Sequence, residues 1–89
     1  MDIRYSRHAS RQMLVRNVAK HEVEAVLASG EAVESYPGDQ PYPSRLMLAR
    51  IEGRPLHVVA ATAPTGTIFV VTVYQPDPSR WDETFRIRR

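Results

Sequence analysis

From Arg45 to Asp82 the chain reads RLMLARIEGRPLHVVAATAPTGTIFVVTVYQPDPSRWD. Three runs in it, Leu46 to Glu52, Leu56 to Thr62 and Thr67 to Tyr74, are rich in branched and aromatic residues and bounded by turn formers, the pattern of strands. Glu52-Gly53-Arg54-Pro55 separates the first two, and Ala63-Pro64-Thr65-Gly66 the next two. Glycine supplies positive φ and proline cannot continue a central ladder, so both breaks are hairpin connections. Connections this short force sequence neighbours to pair antiparallel. The rest of the chain is small enough to be packing for that ribbon.

Directly opposed residues share a face of a sheet, and a loop of two or four residues pairs even positions with odd ones. One face is then expected to hold Met47, Ala49, Ile51, Leu56, Val58, Ala60, Phe69, Val71 and Val73, apolar apart from Arg45 at the strand entrance. Helices should cover it. The reverse face holds Leu46, Leu48, Arg50, His57, Val59, Ala61, Ile68, Val70, Thr72 and Tyr74, with Arg50, His57, Thr72 and Tyr74 gathered at one end. An odd-length loop or a bulge breaks this parity.

Asp2 to Tyr5 alternates polar and apolar residues and reads as a short strand at or near a sheet edge. Ser6 suits a helix N-cap, and Arg7 to Arg16 follows as a helix with Ala9 and Met13 on its apolar stripe. His8, Gln12 and Arg16 recur every fourth residue as a polar stripe on that helix. Asn17 tolerates the left-handed conformation that ends a helix. Lys20 to Ser29 is a second helix stopped by Gly30, with Ala19 a poor cap at its start. Glu31 to Tyr36 is a further strand or extended segment, and 37–44 a loop. After the ribbon, Asp77 and Pro78 suit a cap and first helical position, so a short helix is expected through Trp81 and Phe85. The tip, Arg86-Ile87-Arg88-Arg89, is expected to be mobile.

Eighty-nine residues are expected to make one domain, 1–89, burying about two-thirds of the unfolded surface. The absence of cysteine excludes disulfides and thiolate metal sites and fits a reducing cytoplasm. No apolar run approaches the roughly 20 residues of a membrane helix, and the stretch after Met-Asp-Ile-Arg lacks a signal peptide's apolar segment, so neither is expected. Net charge is only +2, but the bases are eleven arginines and one lysine. Guanidinium grips phosphate or carboxylate in two places, as ammonium cannot; GC-rich coding produces the same bias without functional meaning.

No metal-ligand spacing, Gly-rich phosphate loop or nucleophile triad stands out, so neither metal nor cofactor is expected. His8, His21 and His57 are the side chains that titrate near neutrality unperturbed. His57, on the face shared with Arg50 and Tyr74, carries the sharpest reading: Arg50 holds a phosphate, His57 moves a proton and Tyr74 donates a hydrogen bond. Metal-free RNA cleavage needs those functions. The bland alternative is a buried histidine satisfied by Thr72 or a backbone carbonyl, with Arg50 solvated. The His8–Gln12–Arg16 stripe either faces substrate or is plain helix surface. Arg80, Arg86, Arg88 and Arg89 either grip phosphate with Trp81 stacking a base, or are solvated while Trp81 and Phe85 plug the core.

Several segments are familiar together: Ser6-Arg7-His8-Ala9 with Met13 and Arg16, residues 22–27, Pro43-Ser44-Arg45-Leu46, residues 53–59, Val71-Thr72-Val73-Tyr74, Pro76-Asp77-Pro78, Trp81-Asp82 and Phe85. In these the chain resembles a family of small bacterial domains of unknown function related to the RelE/ParE/BrnT toxins, whose members often stand beside zinc-finger, helix-turn-helix antitoxins of the MqsA/YgiT kind. It departs from many members at Gln12, Asn17 and Ala19, where they carry Arg, Gly and Ser. The resemblance implies a RelE-like α+β fold, with two N-terminal helices packed on one face of a mainly antiparallel sheet of three to five strands and a short C-terminal helix. It also implies an RNA-cleaving or translation-inhibiting toxin that acts on RNA or the ribosome and is held inactive by an antitoxin. On that reading His57, Arg50, Tyr74 and His8 are catalytic, while Arg45, Arg16, Gln12, Arg80 and Arg86 bind RNA phosphate. The competing reading is a non-catalytic protein- or nucleic-acid-binding module.

Overall fold

A computed structural model describes residues 2–89. Strand β1 (Ile3–Tyr5) leads into helices α1 (Arg7–Arg16) and α2 (Lys20–Ser29), then strands β2 (Glu31–Tyr36), β3 (Ser44–Ile51), β4 (Arg54–Thr62) and β5 (Ile68–Tyr74). The five strands form one sheet in the order β1-β5-β4-β3-β2. The fold is α+β, with both helices on one side of the sheet.

Two sequence expectations about this architecture need correcting. The sheet is mixed rather than mainly antiparallel: β2 to β5 pair antiparallel in succession, but β1 lies parallel to β5, Ile3 opposite Ile68. Two helices and three strands separate β1 from β5, so no tight turn dictates their relative direction. The expected C-terminal helix is also absent. After β5 the chain makes turns, and Trp81 returns to bridge Arg88. Asp82 prevents helical continuation: its carboxylate accepts from Thr84 Oγ1 at 2.8 Å and from the backbone N–H of Arg86 at 3.2 Å. Such local side-chain bonds compete with helix, and Phe85 takes φ 60°.

Helix α1 is capped as its sequence suggests. Ser6 Oγ accepts from Ala9 N at 2.9 Å, and Asn17 ends the helix in the left-handed region. Helix α2 lacks a side-chain cap at Ala19, but Glu22 reaches back to accept from Ala19 N at 2.9 Å. The same carboxylate meets Arg54 Nη2 at 2.9 Å, and Arg54 also donates to the carbonyls of Arg16 and Asn17. One guanidinium thus ties the end of α1, the start of α2 and the β3–β4 hairpin together. Gly30 leaves α2 where a Cβ would lie 2.4 Å from Val26 O and 2.8 Å from Leu48 O, so only glycine allows this approach to the sheet.

The β3–β4 turn is two residues long, with Glu52 and Gly53 both at positive φ, as a type I′ hairpin requires. The β4–β5 loop runs from 63 to 67, five residues between paired Thr62 and Ile68. That odd length inverts the expected parity at the loop end. Ile68 and Val70 join the helix-covered core, and Phe69 stands opposite Ala61 on the reverse face. A bulge at Val59/Ala60 then restores parity, so Val58 faces Val73 and His57 faces Tyr74. The face assignments therefore fail for residues 68–71 and hold at the His57 end. The helix-covered core is built from Ala9, Met13, Val23 and Val26 against Leu56, Val58, Val70 and Val73.

Candidate phosphate-binding cleft

Residues 75–89 fold back over the reverse face of the sheet, and their anchor is Trp81. Its ring is 3% exposed and meets His57 edge-on, centroids 4.5 Å apart. His57 itself is fully buried. Its Nε2 lies 2.8 Å from Phe85 O and its Nδ1 3.1 Å from Tyr74 Oη. A carbonyl can only accept, so Nε2 carries hydrogen. Burial pushes the imidazole pKa below its ordinary value and favours the neutral ring. Nδ1 is then a bare acceptor and Tyr74 donates to it. The bland alternative for His57 named a backbone carbonyl as its partner, and the carbonyl is that of Phe85.

The tail divides the polar residues of this face into two clefts. One, of about 430 Å³, is lined by Arg16, Tyr74, Gln75, Asp77, Arg80, Trp81 and Arg88. Arg16 reaches it from the last turn of α1, Tyr74 from the end of β5, and the remainder from the tail. Arg88 lies over the Trp81 ring at 4.5 Å and pairs with Glu34 at 3.3 Å. Arg16 and Arg80 have no ion-pair partner among the described residues. Asp77, the one carboxylate of the cleft, turns inward to accept from Ser79 N at 2.9 Å, which lowers its pKa.

The second cleft, of about 300 Å³, holds Arg50 and Arg86 beside Glu31 and Glu83. Arg50 stacks over Phe85 at 5.4 Å, and Arg86 is bonded to Glu31. Arg50, His57 and Tyr74 share a face as expected, but the tail lies between them: Arg50 opens to one side, Tyr74 to the other, and His57 lies beneath. Arg45 stands apart from both clefts. It opposes Ala60 on the helix-side face, three residues along the ladder from His57, or about 10 Å.

His8 and Gln12 complete the placements. His8 is exposed, and its Nε2 lies 3.0 Å from Thr72 Oγ1. Gln12 is half-buried one turn further on, and Arg16 a turn beyond that. The stripe runs along the flank of β5 toward the larger cleft, with His8 about 12 Å up the helix from Arg16. Sequence reasoning missed Gln75 and Asp77 as lining residues, and the Glu34 partner of Arg88. Their proximity depends on the fold-back of the tail, which no local pattern announces.

Fold and site together define a small α+β domain with an arginine-lined cleft at the end of its last strand. Residues 5–75 match the family of a domain of unknown function, DUF4258, and the chain belongs to that family. No curated protein and no solved structure matches it. The matched span ends at Gln75, so it includes Arg16, Tyr74 and Gln75 of the cleft, while Asp77, Arg80, Trp81 and Arg88 lie beyond the match. No helix among the described residues is long and apolar enough to cross a membrane.

Proposed function

We propose that the chain binds RNA in the arginine-lined cleft and cleaves it without a metal, as a RelE-like toxin of the cytoplasm. The observation that carries this reading is the convergence of Arg16, Arg80 and Arg88 beside Tyr74. Planar guanidinium groups suit phosphate oxygens and hold the strand by a phosphate other than the one cleaved beside His8, about 12 Å away. A strand of RNA laid along α1 passes His8, which takes the proton of a ribose 2′-hydroxyl. The 2′-oxygen attacks the adjacent phosphorus, the bond to the 5′-oxygen breaks, and that oxygen takes a proton from water, whose hydroxide collects the one on His8. The products are a 2′,3′-cyclic phosphate and a 5′-hydroxyl. Walled in by Trp81, Tyr74 and Phe85, His57 gives up the proton-transfer role to His8 and serves as the seat of the tail.

Incubating purified protein with a single-stranded RNA, with and without ribosomes, tests the reading. Arg16→Ala combined with Arg80→Ala is expected to weaken binding at least tenfold and flatten its salt dependence. His8→Ala is expected to keep binding and lose cleavage by about a hundredfold. Intact RNA under every condition would remove the enzymatic reading.

A second reading, a protein-binding module, is favoured by the outward face of α1. Leu14 is 84% and Val15 72% exposed, beside Arg7 and Arg11, which have no ion-pair partner among the described residues. That face suits an acidic amphipathic segment, such as one from a cognate zinc-finger, helix-turn-helix antitoxin. Leu14→Asp is expected to abolish association with such a partner and leave RNA binding unchanged. Association that survives the substitution would move the partner to another surface.

A further inference from the structure

We infer that Tyr74 selects ribose over deoxyribose in the cleft, and that His57 makes it do so by fixing which way its hydroxyl points. The inference rests on the nucleic-acid reading above and goes further by assigning the sugar-reading group. Its basis is hydrogen-bond direction. Phe85 O can only accept, so His57 Nε2 carries hydrogen at 2.8 Å from it. Neutral imidazole has one N–H, so Nδ1, 3.1 Å from Tyr74 Oη, must accept. The proton of Tyr74 is therefore turned inward, and its oxygen presents lone pairs alone to the cleft it lines.

An acceptor among guanidinium groups is chemically specific. Arg16, Arg80 and Arg88 offer donors, which suit phosphate oxygens. Tyr74 offers the reverse, a seat for a ligand hydroxyl that donates. A ribose-phosphate carries both groups on adjacent atoms, and a deoxyribose-phosphate lacks the donor. The 2′-hydroxyl is the group by which a protein tells RNA from DNA at a given position. Rotating the phenolic hydroxyl outward would cost its bond to His57. Moving the proton to the other ring nitrogen would put Nδ1–H against Tyr74 and strip Phe85 O of its donor. The surroundings hold the arrangement: Trp81 packs edge-on against the imidazole, and the ring is sealed from water.

The test compares ten-nucleotide oligomers of uridylate, deoxyuridylate and 2′-fluorouridylate by fluorescence anisotropy, with oligomer integrity checked on gels. The fluoro sugar keeps the ribose pucker but cannot donate. Wild type is expected to bind the ribo-oligomer roughly tenfold more tightly than either analogue. In Tyr74→Phe the three affinities should converge to within about twofold. In His57→Leu the ratio of ribo- to fluoro-oligomer affinity should also shrink. Equal wild-type binding of the ribo- and fluoro-oligomers overturns the inference alone, as does a preference that survives Tyr74→Phe. Failure to bind any oligomer overturns the nucleic-acid reading and the inference with it.

Discussion

The two faces of the sheet are closed by different means. On one, α1 and α2 lay branched side chains against Leu56, Val58 and Val73 in an apolar core, with the Arg54–Glu22 ion pair at its edge. On the other, an irregular tail is held by one tryptophan and a set of polar anchors: His57 to Phe85 O, Arg88 to Glu34, and Arg86 to Glu31. Apolar burial has no protonation to lose and is not weakened by the salt that screens ion pairs. Polar anchoring depends on protonation and on ionic strength at the exposed pairs. The helix side therefore carries the global stability, and the tail side is the part of the molecule that conditions can loosen.

The largest expected effect separates the two sides directly. Leu56 is fully buried beneath the helices, and Leu56→Ala should cost about 2–5 kcal/mol of global stability. Trp81→Ala removes a larger side chain, yet its loss should appear mainly as opening of the tail. Native-state hydrogen exchange should speed at the amides of Trp81 and Arg89, which bond within the tail, while strand amides of β4 keep their protection. Equal losses of global stability from both variants would merge the two sides into one cooperative core.

Next in size is Gly30→Ala, at the junction of α2 with the sheet. The added methyl meets two backbone carbonyls that cannot yield as a side-chain tip would. A loss of about 1–3 kcal/mol in denaturant unfolding is expected. A neutral result would mean that α2 can shift on the sheet.

The smallest effect is the pH dependence of the tail side. The pKa of His57 is lowered in the fold, so the unfolded chain binds the extra proton first. Stability is full above the ordinary histidine value of about 6.5 and falls as pH drops below it toward the folded value. The slope is at most about 1.4 kcal/mol per pH unit. On the helix side, Glu22 behaves similarly at lower pH: its carboxyl pKa is depressed, first by the bond from Ala19 N and then by Arg54. The stability it contributes is lost as pH falls below the ordinary carboxylate range. Melting temperatures of wild type and His57→Leu between pH 7.5 and 5.5 isolate the first contribution, with the variant expected to lie flat.

How much of this was legible in the residues follows the same division. The strand runs, the Ser6 cap and the Asn17 stop are local chemistry and stand where their residue types predict. The first hairpin is tighter than the sequence suggests: Glu52-Gly53 alone make the turn, and Arg54 and Pro55, already in β4, pair with Ile51 and Arg50. The positions of Ile68 to Val71 were not legible, because loop length and bulge placement are set by tertiary packing. Those two irregularities cancel at the His57 end, which is why the face shared by His57 and Tyr74 could be read from parity. The tail misled because Asp77-Pro78 is a valid helix start, and its competitor, the Asp82 carboxylate, acts only once the chain has turned. The arginines of the cleft were visible as a composition, whereas their grouping depends on where the tail lies.

The claim on which the site depends is that a neutral imidazole, sealed under the tail, holds Phe85 with one nitrogen and Tyr74 with the other. Nitrogen-15 and proton NMR of the His57 ring measures tautomer, exchange and titration together. Hydrogen on Nε2, slow exchange with water and a midpoint below 6.5 are expected. Hydrogen on Nδ1, or a freely exchanging ring with a midpoint above that value, would contradict the claim.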